Sequence, residues 1–95
     1  MNETLSQADK KKLRGIAQRM KPTVSVGKQG LTETLLQEME RAFDRDGLVK
    51  VRFNVSREPM HALCEEIVNR LHCERTGHVG KTASFYRTPK EAKSK

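Results

Sequence analysis

The residues Gly27-Lys28-Gln29-Gly30 have types and spacing suited to holding a phosphate. Glycines let a nucleic-acid backbone approach the chain closely, and Lys28 places a positive charge at the point of contact. On its own the pattern is weak, because a loop with two glycines often does no more than turn the chain. Other constellations fall short on inspection. Gly77-His78-Val79-Gly80-Lys81-Thr82 resembles the end of a nucleotide-binding phosphate loop, but that motif needs a glycine where Arg75 stands. Lys81-Thr82 also leads into an alternating segment and not into a helix, which argues against nucleotide hydrolysis. His61, Cys64, Cys73 and His78 could be drawn as a zinc set, yet no C-x-x-C occurs and Cys64 reads more simply as a small apolar core residue. Catalysis finds no Ser, His, Asp constellation and no carboxylate pair in an apolar setting, since Glu65 and Glu66 fall on the wet face of a helix. The expectation is a protein that is not an enzyme and that uses no cofactor and no metal.

The elements that must position these residues follow from local patterns. Ser6 reads as a helix N-cap, with Asp9 three residues on to complete a capping box, and Leu13, Ile16, Ala17 and Met20 recur at helical spacing. The opposite face carries Lys11, Lys12, Arg14 and Arg19, and Lys21-Pro22 stops the helix. Thr23-Val24-Ser25-Val26 is β-branched and alternating, which predicts a short strand with Val24 and Val26 inward. After the glycine loop, 31–43 predicts a helix capped by Thr32 that buries Leu35, Leu36, Met39, Ala42 and Phe43. Asp46-Gly47 marks a turn, and 48–54 alternates Val49, Val51 and Phe53 with Lys50, Arg52 and Asn54, as a half-buried strand does.

Ser56 then starts a third helix, with Pro59 tolerated in its first turn and Met60, Leu63, Cys64, Ile67, Val68 and Leu71 on its apolar face. Two short strands joined through Gly80-Lys81 follow, over 75–79 and 82–87. In the second of these, Phe85 and Tyr86 alternate, so one enters the core. An exposed Tyr86 beside Lys81 and Arg87 could stack on a base or could close the sheet edge. The expected order is αβαβαββ, an α+β fold with a small mixed sheet covered by helices.

At 95 residues, the chain suits one compact domain, placed at 5–88, with 89–95 as a flexible basic tail. Nineteen Lys and Arg against twelve Asp and Glu give +7, while aromatics amount to three Phe and one Tyr, which rules out a large enzyme core. The charge is unevenly spread: residues 1–30 carry +5, 31–74 carry −3 and 75–95 carry +5. If the two ends meet in the fold they make one positive face, which suggests a polyanion partner, most often nucleic acid. No apolar run approaches the roughly 20 residues that span a bilayer, and the start lacks a signal-peptide profile, so a cytoplasmic, membrane-free protein is expected. Two cysteines fall short of a disulfide framework, and reduced thiols are the expectation.

Taken together, the basic first helix ending in Lys21-Pro22, the segment from Val26 through Gly27-Lys28-Gln29-Gly30 to Thr32, the strand from Leu48 to Arg52 and the ending from Gly80-Lys81-Thr82 to Tyr86-Arg87 resemble the YhbY-type CRM domain, named for chloroplast RNA splicing and ribosome maturation. The resemblance covers about 5–88. It implies an RNA-binding module similar to the C-terminal domain of translation initiation factor three, with a GxxG loop likened to that of KH domains. Free-standing members of that family are associated with large-subunit ribosomal precursors, and multi-domain plant members with group II intron splicing. The segment Thr82-Ala83-Ser84-Phe85-Tyr86 departs from the family, since Ala83 and Ser84 are smaller and more polar than its usual aliphatic pair.

The function expected from this resemblance is RNA binding by a monomer, with ribosomal RNA as partner and large-subunit assembly as the setting. The expected face comprises Lys11, Lys12, Arg14, Arg19, Lys21, Gly27, Lys28, Gln29, Gly30, Lys81 and Arg87. A double-stranded DNA-binding or nucleoid protein is the alternative, although no recognition helix is visible. An adaptor using the acidic helices is a third class, and would bind its partner even at high salt.

Overall fold

The computed structural model describes residues 6–88, the side chain of Arg57 excepted. The element order is α1 (Gln7–Gln18), β1 (Val24–Val26), α2 (Glu33–Arg45), β2 (Leu48–Phe53), α3 (Arg57–Leu71), β3 (Glu74–Val79) and β4 (Thr82–Tyr86), as the sequence patterns predict. The tail expected at 89–95 lies outside the described residues.

Local chemistry sets the boundaries. The Ser6 hydroxyl accepts from the Asp9 N–H at 3.1 Å and the Asp9 carboxylate accepts from the Ser6 N–H at 3.4 Å, which is the capping box read from the sequence. Thr32 caps α2 by accepting the Leu35 N–H at 3.2 Å, and Gly47 ends it with φ 84°, a left-handed turn that glycine adopts without strain. Ser56 occupies the N-cap of α3 without a side-chain cap bond.

The four strands form one mixed sheet in the order β1-β2-β4-β3, with β1 parallel to β2 and the other pairings antiparallel. Alternation along β2 divides its two faces. Val49, Val51 and Phe53 meet Met39, Ala42 and Phe43 of α2 and Met60, Cys64, Ile67 and Leu71 of α3 in a core completed by Val24, Val26, Ala83 and Phe85. Lys50 and Arg52 belong to the other face, where α1 packs on β3, β2 and β4.

That second face is polar, and α1 covers it thinly. Ala17 alone of its predicted stripe is fully buried, Leu13 and Met20 are half-buried, and Ile16 is 47% exposed. Ser84, the small polar residue in the last strand, is also on this face. It is buried and its hydroxyl lies 2.7 Å from that of Thr76, which sits in a bulge between Arg75 and Gly77. The bulge thus supplies a partner that an aliphatic residue at 84 would not need.

Candidate nucleic-acid interface

Pairing decides which loops meet. The parallel β1 and β2 end together, and the antiparallel β4 begins where they end. The Asn54 N–H donates to the Val26 carbonyl at 2.7 Å, and the Phe53 N–H donates to the Lys81 carbonyl at 2.8 Å. One end of the sheet therefore gathers the glycine loop, Asn54 and the Gly80-Lys81 turn. The loop leaves β1 and the turn enters β4, two places away in the sheet, about 10 Å at the usual inter-strand spacing.

Within the loop the Gly30 N–H donates to the Gly27 carbonyl at 3.0 Å, closing a turn with exposed Lys28 and Gln29 at its corners. The two glycines differ. Gly30 takes φ 73°, where a side chain is strained, whereas an added Cβ at Gly27 would meet nothing within 4 Å. Gly30 is thus explained by backbone geometry, and Gly27 is not. The loop stands two residues ahead of the Thr32 cap, so it approaches the positive end of the α2 dipole without being part of the helix.

Helix α1 brings Lys11, Lys12, Arg14 and Arg19 to the layer opposite α2 and α3, with Lys21 just after it, and all five are exposed. The chain leaving α1 is tied to β2: the Thr23 N–H donates to the Lys50 carbonyl at 2.7 Å, the Lys50 N–H to the Thr23 hydroxyl at 3.2 Å, and the Lys50 ammonium to the Met20 carbonyl at 2.8 Å. Beside this link, exposed Arg52 pairs in register with Ser25 and with Thr82, next to Lys81. Arg52 was absent from the expected face. Its alternation with Phe53 points to the wet side of a strand, and only the strand order brings that side next to the loop.

Among the described residues none of Lys11, Lys12, Arg14, Arg19, Lys21, Lys28, Arg52 and Lys81 pairs with a carboxylate. Arg87 is the opposite case and does not join them. It follows Tyr86 at the far end of β4, its N–H donates to the Gly47 carbonyl at 2.9 Å, and its guanidinium bonds Glu40 and Asp44 at 3.0 Å each and the Leu71 carbonyl at 2.8 Å. Burial pulls its pKa down, but the bonds and charges of the two carboxylates outweigh that and raise it. Its charge is neutralised inside the fold, which corrects the expectation that it belongs to the basic face.

Tyr86 also lies at the far end, half-buried and in register with Leu48 and Glu74, so it is not beside Lys81. Phe85 is the member of that pair that enters the core. His61 and His78 approach each other edge to face at 6.2 Å, but among the described residues no group of three metal-ligating side chains forms. Cys64 and Cys73 are buried, and burial raises the pKa of both thiols, that of Cys73 to about 12. No helix among the described residues is long and apolar enough to cross a membrane.

The described residues form a three-layer α+β domain, with acidic helices on one side of the sheet and, on the other, cations that pair with no described carboxylate. The comparisons with known proteins give that domain a family. Residues 5–87 match the model of the CRS1 / YhbY (CRM) domain, and the chain belongs to that family. A Pseudomonas aeruginosa protein named "Probable RNA-binding protein PA4753" is 35% identical over 92 residues, covering 95% of this chain and 88% of its own. A Haemophilus influenzae protein named "RNA-binding protein" is 34% identical over 91 residues, covering 95% and 92%. Both are named for RNA binding and neither for catalysis. The solution structure of the hypothetical protein SAV1595 from Staphylococcus aureus superposes with a TM-score of 0.80 at 24% identity over 95% of each chain, a likeness of fold.

Proposed function

We propose that this chain binds RNA through its phosphates, and that the RNA is ribosomal RNA in precursors of the large subunit. The observation that carries the reading is that Lys11, Lys12, Arg14, Arg19 and Lys21, on α1 and just after it, and Lys28, Arg52 and Lys81, on the loop end of the sheet, are exposed and have no carboxylate partner among the described residues. Leaving so many like charges unpaired on one side raises self-repulsion, which a polyanion relieves on binding. The names of the two relatives support RNA as that polyanion. In this reading Lys28 and Lys81 hold phosphates from the loop and the hairpin, the α1 cations extend the track, and the protein acts as a cytoplasmic monomer. The ribosomal assignment rests on the family.

Sequencing RNA crosslinked to the protein in cells tests both levels. Enrichment of precursor ribosomal RNA, with the protein sedimenting in large-subunit precursor fractions and not with translating ribosomes, is the expected result. RNA of other kinds, with the protein recovered only in free fractions at low salt, contradicts the ribosomal assignment and leaves RNA binding standing.

A further inference from the structure

Between α1 and the β3-β4 hairpin the fold leaves an open cleft of about 260 Å³, bounded by Arg14, Ala17 and Gln18 of the helix and by Lys50, Val79 and Thr82 of the sheet. A glycine sets where Arg14 stands in this cleft. A Cβ at Gly77 would overlap Cγ and Cδ of Arg14, so it is the missing side chain that lets the arginine stem lie against the strand. The bulge between Arg75 and Gly77 shifts the register of β3 at that point, and α1 closes onto the sheet fully only at Ala17.

The lining is mixed in a specific way. Ala17 and Val79 give apolar wall, and Val79 is 65% exposed among the described residues. Arg14 offers a planar cation, while Gln18 and Thr82 each offer a donor and an acceptor. Lys50 brings a half-buried ammonium whose bond is to the Met20 carbonyl, and among the described residues no carboxylate pairs with it. The volume is below the roughly 300 to 1,000 Å³ of pockets for drug-sized ligands, so it suits one flat ring and not an extended molecule. A flat face, a hydrogen-bonding edge and surrounding positive charge are together the attributes that recognise an unstacked nucleobase.

We infer that this cleft takes one unstacked base of single-stranded RNA, with the Arg14 guanidinium against its face and the Gln18 and Thr82 side chains at its edge. The inference rests on the RNA-binding reading above and adds a base subsite to a face otherwise described by phosphate contacts. Arg52, in register with Thr82 on one side and with Ser25 of the strand that leads into the Lys28 loop on the other, lies where the backbone of such a strand would leave the cleft.

The test follows the backbone amides of Gln18, Gly77 and Thr82 by NMR while the whole chain is titrated with each ribonucleoside monophosphate and, separately, with ribose 5-phosphate. At least one nucleotide moves these amides and ribose 5-phosphate does not. In parallel, Gln18→Ala, an uncharged change on an exposed helix position, weakens binding of a mixed-sequence single-stranded RNA oligonucleotide about fivefold, as loss of one hydrogen bond does. The same variant binds heparin, a polyanion without bases, as the parent does. If the parent binds the oligonucleotide while every nucleotide leaves these amides unmoved, or ribose 5-phosphate moves them equally, the base subsite is overturned and RNA binding stands. A parent that binds no oligonucleotide overturns the RNA reading and the subsite with it.

Discussion

The Arg87 guanidinium bonds the Glu40 carboxylate at 3.0 Å, at the end of the sheet opposite Lys81. A second bond reaches Asp44 at 3.0 Å, and the guanidinium carbon stands 5.0 Å from the centre of the Phe43 ring. Arg87 thereby joins the last strand to α2 and, through the Leu71 carbonyl, to the end of α3.

Its removal is therefore a stability event. Arg87→Met lowers the unfolding free energy by about 1 to 3 kcal/mol, less than for a fully buried pair because Glu40 and Asp44 keep contact with water. RNA affinity at a temperature where the variant is folded stays within about 0.5 kcal/mol of the parent, as for a substitution away from the interface. Urea unfolding and an RNA titration on the same preparation check both halves.

The glycine loop separates backbone geometry from contact with RNA. Gly30→Ala forces a side chain to φ 73° and costs about 1 kcal/mol of stability. Gly27→Asp meets no such obstacle, since the space around Gly27 is open. It folds like the parent and binds RNA less well, because a carboxylate there repels a phosphate. Lys28→Ala also leaves melting unchanged and loses about 1 to 2 kcal/mol of RNA affinity, the worth of a charge-assisted contact. Should both folded variants bind RNA like the parent, the loop is structural.

Burial of Cys73 makes stability depend on alkaline pH. Its thiol is pushed up from an ordinary value of 9.0 to about 12, so the folded state disfavours the thiolate that the unfolded chain forms readily. The contribution is complete below pH 9.0 and is lost as pH rises from there toward about 12. Comparing the parent with Cys73→Ala isolates the effect, with the parent falling more steeply above pH 9.0. For the same reason, iodoacetamide at neutral pH labels Cys73 only when the chain is unfolded.

What the sequence makes legible is what neighbouring residues decide among themselves. Ser6 with Asp9, Thr32 with Leu35, and the alternation of Val49, Val51 and Phe53 need no distant partner, and each predicts its element correctly. The position of a charge is different, because it depends on strand order. Lys81 and Arg87 belong to the same short stretch, yet the Lys81 carbonyl bonds Phe53 beside the loop while the Arg87 N–H bonds Gly47 at the other end. Arg52 becomes a neighbour of the loop only because β1 lies parallel to β2. Ile16 shares the helical spacing of Ala17 but is 47% exposed, since α1 rests on the polar face of the sheet and covers it incompletely.

The dependence of RNA affinity on salt tests most directly the claim that unpaired cations on one side bind phosphates. With about five contacts at roughly −0.7 per contact on a single strand, the log-log slope lies near −3 to −4. Removing two of them in Lys28→Ala/Lys81→Ala makes the slope shallower by about 1.4, and Arg87→Met leaves it unchanged. A parent slope close to zero, or a double variant with the parent's slope, would contradict the account.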